Sequence, residues 1–334
     1  MSNIVTFGEI MLRLSTLTGT HFSNAGSFQA HYGGAEANVA VNLAVFDHDV
    51  VFASKVPDNA LGLAVKRQLQ KYGVSTKQLL FGGNRLGTYY LDSGVGERSS
   101  AVIYDRANSS FASVEDIEWD FEQIFENADI LHISGITPAL SEKLAEITLN
   151  LVKEAKKRDI KVSFDINFRS KLWNHEQASK VISTILPYVD YCSAGKMDAL
   201  YLLGIPENQS SQADTDYYYQ KMHEKYSNIQ VFYSTIREVH SATSNTLQGT
   251  LWKDGKTYVS KVHKLEPIID RVGGGDAFSA GILHGLLTNA DLNYTVSFAT
   301  AYSSLKHTVY GDCNPFTVKE VENLLENGSA KINR

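Results

Sequence analysis

Cysteine is nearly absent: Cys192 and Cys313 are the only two thiols among 334 residues. They form neither a disulfide framework nor a metal-ligand spacing, and they suit a reducing cytoplasm. The ten histidines include no HExxH pair, so no dedicated zinc site is expected. A basic excess is also missing. The formal net charge is -6, which argues against a general nucleic-acid or anionic-membrane surface. No apolar run is long enough to span a bilayer, and Met1-Ser2-Asn3 leads straight into a strand-like segment, so neither a membrane anchor nor a signal peptide is expected. Repeats, low-complexity tracts and Pro-rich linkers are absent too, which favours one domain over residues 1–334. Two nucleotide motifs fail on inspection. Gly195-Lys196 is followed by Met197, which excludes a P-loop, and Gly94-Val95-Gly96 lacks the third glycine of a dinucleotide fingerprint.

What is present is a rhythm of strand and helix. Buried strands are expected at 4–10, 50–54, 130–133, 161–164, 191–193 and 231–234, with helices at 35–44, 62–72, 141–157, 175–186, 196–203, 215–226, 291–307 and 317–326. This order predicts an α/β fold with a mostly parallel central sheet, covered by helices on both faces. Thr88–Asp92 and Ser99–Tyr104 alternate apolar and polar around a glycine-containing turn and read as a hairpin. Half-polar strands do not suit a doubly covered core, so they are placed in a small antiparallel sheet off the main body, joined by part of 12–32. Asp254-Gly255 marks a second hairpin.

The most informative stretch is Asp270-Arg271-Val272-Gly273-Gly274-Gly275-Asp276, which opens into an apolar run of small residues reading as a buried helix. A glycine loop at a helix N-terminus offers unpaired N–H groups and partial positive charge, a site suited to phosphate. Asp276 at its rim suits a group that takes a proton from an attacking hydroxyl. The alternative is an ordinary glycine-rich turn with an N-capping aspartate. More polar groups fall at predicted strand ends, where ligands bind in open parallel sheets: Ser134, Asp165, Asn167, Arg169 and Ser234. Tyr104 and Arg106 end the hairpin, offering either an aromatic wall with a guanidinium for an anionic, hydroxylated ligand or an ordinary exposed strand end. Gly33-Gly34 with Asn38 reads as a turn able to meet ligand hydroxyls, or as a plain helix entry.

Together these residues resemble the ribokinase-like (PfkB) carbohydrate kinases over nearly the whole chain. The resemblance rests on Gly8 in the first strand, Gly33-Gly34-x3-Asn38, Asp165-x-Asn167-x-Arg169 and, most specifically, Asp270-x2-Gly273-Gly274-Gly275-Asp276. It implies a β-sheet lid formed by insertions at roughly 12–32 and 83–108, Asp276 as catalytic base, and Gly273 to Gly275 as an anion hole. Within the family, Gly34, Tyr89, Tyr104, Arg106 and Arg169 look like the substrate set of 2-keto-3-deoxygluconate kinases, where arginines face the sugar acid's carboxylate. Asn38 and Asp312 join that set, and Asn167 and Ser234 fall to the nucleotide. Two segments depart from the family pattern. Gly195-Lys196-Met197-Asp198 stands where Asn-x-x-Glu is usual, leaving Asp198 to order Mg²⁺ through water. Thr235 to His240 replaces a Gly-rich nucleotide loop, with Arg237 available for ATP phosphates.

The expected activity is transfer of the ATP γ-phosphoryl group to the terminal hydroxyl of 2-keto-3-deoxygluconate. Mg²⁺ and a monovalent cation are the expected cofactors, and a cytoplasmic homo-oligomer the expected state. With a reference pKa of about 3.9, Asp276 is read as a weak base whose positioning matters more than its basicity. The alternatives are a kinase of a neutral sugar such as fructose or ribose, and a non-catalytic sugar-binding regulator on the same fold.

Overall fold

The computed structural model describes residues 1–328. The chain opens with β1 (Asn3–Phe7), leaves through β2 (Met11–Ser15) and β3 (Gln29–Gly33), and returns as α1 (Ala35–Val45), β4 (Asp49–Val56), α2 (Ala60–Lys71) and β5 (Leu79–Phe81). The hairpin β6 (Thr88–Asp92) and β7 (Ala101–Asp105) follows, then α3 (Phe121–Ile124), β8 (Ile130–Ser134), α4 (Ile136–Ala139), α5 (Glu142–Lys157) and β9 (Lys161–Asp165). Next come α6 (His175–Ile185), β10 (Tyr191–Ser193), α7 (Lys196–Tyr201), α8 (Asp214–Lys225), β11 (Val231–Ser241), β12 (Ser244–Lys253), β13 (Lys256–Val259) and β14 (His263–Leu265). The chain closes with α9 (Gly274–Leu287), α10 (Leu292–Lys306) and α11 (Val318–Asn327).

The large sheet runs β13-β12-β11-β10-β9-β8-β1-β4-β5, with β14 also paired to β12. From β11 to β5 every pairing is parallel; β12 pairs antiparallel with β11, β13 and β14. Side-chain alternation sends Val5, Phe7, Leu131, Ile133, Val162 and Phe164 into a core shared with α5, α6 and α8. Ile4, Val50, Phe52 and Ile130 point the other way, into a core with α1, α2, α9 and α10. Burial on both faces is why these strands read as continuous apolar runs.

Helix boundaries follow local chemistry. α5 buries Leu144, Ile147, Leu151, Val152 and Ala155, a three-and-four spacing on one face. Ser141 Oγ accepts from Leu144 N–H at 3.1 Å to cap it, a contact whose loss costs about 1 kcal/mol. α9 is made of small residues because α10 lies close: a Cβ on Gly281 would stand 2.5 Å from Ala299 Cα. Asp254 and Gly255 take φ of 50° and 78°, the turn their sequence predicts.

The second sheet, β3-β2-β6-β7, has four strands. It contains both stretches expected to leave the body, but it is mixed rather than antiparallel, because β2 pairs with β6 in parallel. Another difference concerns 235–241. This segment is the outer half of β11, paired with β12, and much of it is exposed. It lacks a covered face, so it does not carry the apolar run of a core strand. The short elements β5, β14, α3 and α4 leave no clear sequence period. No described helix is long and apolar enough to cross a membrane. Both cysteines are free.

Candidate active site

A cleft of about 2210 Å³ lies between the large and small sheets. A single ligand pocket is typically ~300–1,000 Å³, so this one has room for two substrates. Of the residues singled out from the sequence, the glycine turn, Asp276, Gly34, Asn38, Tyr89, Tyr104, Arg106, Asp165, Asn167, Arg169, Asp198, Ser234, Arg237 and Asp312 line it. Ser134 and Gly8 do not, because both pack on the buried Glu36 carboxyl, to which the Ser134 N–H and Oγ donate. Asp165 ends β9, with Asn167 and Arg169 just after it, and Ser234 lies in β11; the small sheet supplies Tyr89 and Tyr104, with Arg106 just past β7; the glycine turn runs into the start of α9.

The glycine turn works through its backbone. Gly273 adopts φ of 81°, and a Cβ there would sit 2.0 Å from the Asp312 carbonyl oxygen, so only glycine fits. Gly274 N–H turns back to Arg271 O at 3.4 Å. The N–H groups of Gly275 and Asp276 have no partner among the described residues and sit in the first turn of α9. Gly273 N–H likewise has no partner among the described residues, so of the expected Gly273 to Gly275 set only Gly274 is engaged, and Asp276 adds a further donor. Gly275 has open space where a side chain would begin.

Asp276 is half-buried beside these donors. Asn38 Nδ2 donates to its Oδ2 at 2.7 Å. Burial pushes its pKa up to about 7; the Asn38 hydrogen bond opposes that shift, and the Asp165 carboxylate adds to it. Burial also raises Asp165 to about 6. A carboxylate poised near neutrality is a stronger base than the reference value suggests.

The two arginines Arg106 and Arg169 differ. Arg106 Nε donates to Glu9 Oε2 at 2.9 Å, and its Nη2 also reaches that oxygen. Ser109 Oγ donates to the other Glu9 oxygen. Arg169 is exposed to the cleft and has no carboxylate partner among the described residues; its Nη1 reaches Phe168 O at 3.5 Å. Tyr89 is buried and donates to Asp312 Oδ1, while Tyr104 stands half-exposed with its ring centroid 5.8 Å from that of Tyr89. Asp312 also accepts from Arg13 Nη1 at 3.1 Å.

Arg237, also lining the cleft, donates from Nη2 to His307 Nε2 at 2.9 Å. His307 Nδ1 donates to Ser303 O at 2.7 Å, which fixes the neutral tautomer. With the Asn245 amide turned so that its oxygen faces the guanidinium, Arg237 Nη1 donates to it at 3.0 Å. Burial, and then the neighbouring Arg271, pull the Arg237 pKa down to about 10. No acidic group offsets this charge among the described residues. Ser234 shares its hydroxyl with Tyr219 at 2.6 Å and Thr250 at 3.1 Å.

Residues 1–319 match the pfkB family carbohydrate kinases. The chain belongs to that family. It is 32% identical to a 2-dehydro-3-deoxygalactonokinase of Haloferax volcanii, over 100% of this chain and 99% of that protein. Among solved structures it resembles a PfkB family carbohydrate kinase from Listeria grayi, with 44% identity, a TM-score of 0.94, and coverage of 97% of this chain and 99% of that one. It also resembles a 2-dehydro-3-deoxygluconokinase from Thermotoga maritima, with 38% identity, a TM-score of 0.94, and coverage of 97% and 98%.

Arg169, Tyr89, Tyr104 and Arg237 all line this one cleft. No group of three metal-ligating side chains occurs among the described residues. Asp165 and Asp198, whose carboxyls burial raises, do line the cleft. One oxygen of Asp198 is taken by Gly195 N–H at 2.8 Å. Such a donor set suits Mg²⁺, which keeps several waters and binds through one or two carboxylates and substrate phosphates. Sequence reasoning missed Glu9, Arg13, Arg271 and His307. Arg271 sits inside the glycine motif without a role of its own there, while Glu9, Arg13 and His307 lie outside any motif's chemistry and gain their places through partners distant in sequence.

Proposed function

We propose that this kinase transfers the γ-phosphoryl group of ATP to the terminal hydroxyl of 2-keto-3-deoxygluconate. The observation that carries this reading is the open guanidinium of Arg169 in the same cleft as Asp276 and the glycine turn. A sugar carboxylate would give Arg169 the charged partner it lacks, and a neutral hydroxymethyl group would not. The names of the Haloferax and Thermotoga relatives support a 2-keto-3-deoxy sugar acid and differ in the epimer.

In the proposed reaction, Gly34, Asn38, Tyr89, Tyr104, Arg106, Arg169 and Asp312 hold the sugar acid. Asp276 accepts the hydroxyl proton as the sugar oxygen forms its bond to the γ-phosphorus. The bond from that phosphorus to the bridging oxygen breaks, and ADP leaves. The free N–H groups at Gly275 and Asp276 face the charge on the transferring group. On the nucleotide side, Asn167, Ser234 and Arg237 meet ATP, and the uncompensated charge of Arg237 supports a polyphosphate there. Asp165 and Asp198 would hold Mg²⁺ through water; when bound, the ion neutralises phosphate charge. A monovalent cation remains part of the proposal without assigned residues.

The small sheet is proposed as a lid within one domain spanning the chain. We also propose a cytoplasmic enzyme that pairs with a second copy across the outer face of that sheet. Ile103 there is 56% exposed, beside Tyr90 and Phe28.

ADP release over a panel of sugars and sugar acids tests the substrate. The 2-keto-3-deoxy acid should exceed fructose and ribose in kcat/KM by at least about a hundredfold, the discrimination two charged hydrogen bonds support. Equal use of a neutral hexose would leave the neutral-sugar kinase standing. No ATP turnover on any sugar would favour the non-catalytic regulator.

A further inference from the structure

A buried network joins the sugar side of the cleft to the glycine turn, and its centre is Arg13. This residue lies on β2 of the small sheet and is 1% exposed. Its Nη2 donates to Asp270 Oδ2 at 2.6 Å, its Nη1 to Asp312 Oδ2 at 3.1 Å, and its Nε to Ser15 Oγ at 2.6 Å. Each aspartate then acts on a separate part of the site. Asp270 Oδ1 accepts from Val272 N–H at 3.1 Å, and Oδ2 accepts from Gly311 N–H at 3.0 Å, pinning the chain that enters the glycine turn. Asp312 accepts the Tyr89 hydroxyl, and its carbonyl oxygen closes on Gly273. Lys306, wholly buried, feels both carboxylates. Two basic side chains thus face two carboxylates, and the hydrogen bonds of Arg13 are spent inside the cluster.

A planar guanidinium is suited to this task, because its rigid fork fixes the angle between the two carboxylates it joins. A point charge would neutralise them without setting that angle. We infer that Arg13 is a positioning residue for phosphoryl transfer, holding the sugar-lining Tyr89 and the glycine turn in register through Asp312 and Asp270. Arg13 is buried behind the cleft and does not line it. Its effect on the reaction passes through the distance between the held hydroxyl and the donors at the head of α9, and misplacement of about 1 Å can cost two orders of magnitude in rate.

The inference rests on the kinase reading, and the test separates the two. Arg13→Lys keeps the charge and loses the fork. In steady-state kinetics its kcat should fall at least about tenfold, with KM for sugar acid and ATP within about threefold and a cooperative thermal melt retained. Arg13→Lys and Tyr89→Phe should lose less together than the product of their separate losses, because both act through Asp312. A folded Arg13→Lys enzyme with near wild-type kcat, or losses that multiply independently, overturns the inference. If Arg13→Lys does not fold, Asp270→Asn decides: a kcat loss of at least about tenfold with both KM values within about threefold supports the network, and near wild-type kcat or a change confined to KM refutes it. Wild-type enzyme inactive on the 2-keto-3-deoxy acid would sink the substrate reading alone, and the Arg13 kinetics would then be read on the sugar it does use.

Discussion

Glu9 holds Arg106 in place: the guanidinium donates two N–H groups to one carboxylate oxygen, and both side chains are largely buried. Arg169, in the same cleft, has no such partner among the described residues. Two arginines that look equivalent in the sequence therefore differ in what a substrate carboxylate can gain from them.

This asymmetry sets the first prediction. Arg169→Ala should erase most of the preference for the sugar acid, a loss of roughly 1.5–3 kcal/mol in discrimination. Arg106→Ala should act differently, because it strands the buried Glu9 carboxylate. It should lower the melting temperature as well as activity, and Glu9→Gln in the same chain should restore part of the stability. Equal melting temperatures for the two alanine variants would show that the Glu9 pair is unimportant.

Asp276→Asn should reduce kcat by roughly 10²–10⁴-fold, the usual range for a lost general base. Calorimetric ATP affinity should stay within a few fold. The isostere keeps the shape and can still accept from Asn38, but it cannot take the proton. Turnover within about tenfold of wild type, a barrier change of only ~1.4 kcal/mol, would remove Asp276 from the role of base.

pH gives a third check. Since Asp276 is raised from 3.8 to about 7, kcat/KM should climb with pH and level off above about 7. Stability runs the other way. The folded state binds the proton more tightly than the unfolded chain, so the native form loses stability as pH rises from the unfolded pKa through about 7. Asp276→Asn should therefore melt above wild type at pH 8, and the gap should close toward pH 4. A gap independent of pH would contradict the raised pKa.

Arg237→Ala should raise KM for ATP at least about tenfold and leave KM for sugar little changed, since it removes a cation that lacks an acidic partner. His307→Ala should show a weaker version of the same defect, because it frees a guanidinium held at 2.9 Å. Variants that raise both KM values alike would place Arg237 outside the nucleotide side.

Movement of the small sheet is the fifth prediction. Amide exchange across residues 88–106 should slow when sugar acid saturates the enzyme, as β6 and β7 settle over it. Unchanged exchange at saturation would mean a preformed roof.

The sequence by itself determined the elements whose cause is local. Apolar runs at Ile4, Ile130 and Val162 became central strands because both their faces are covered, and the glycines ahead of Asp276 became a helix-entry turn because Gly273 alone tolerates its φ and the approach of Asp312. Asp254-Gly255 likewise carried its own turn. What only the tertiary structure decided is which charge meets which. Glu9 and Arg106 are 97 residues apart, Arg13 and Asp312 are 299 apart, and Arg237 meets His307 across 70 residues. No local pattern encodes such pairs, because a side chain's identity gives its charge while folding alone gives its neighbours. The same reason moved Asp276 from an ordinary carboxylic acid to one poised near pH 7: its basicity comes from lost water and from Asp165, and neither exists until the strands bring them together.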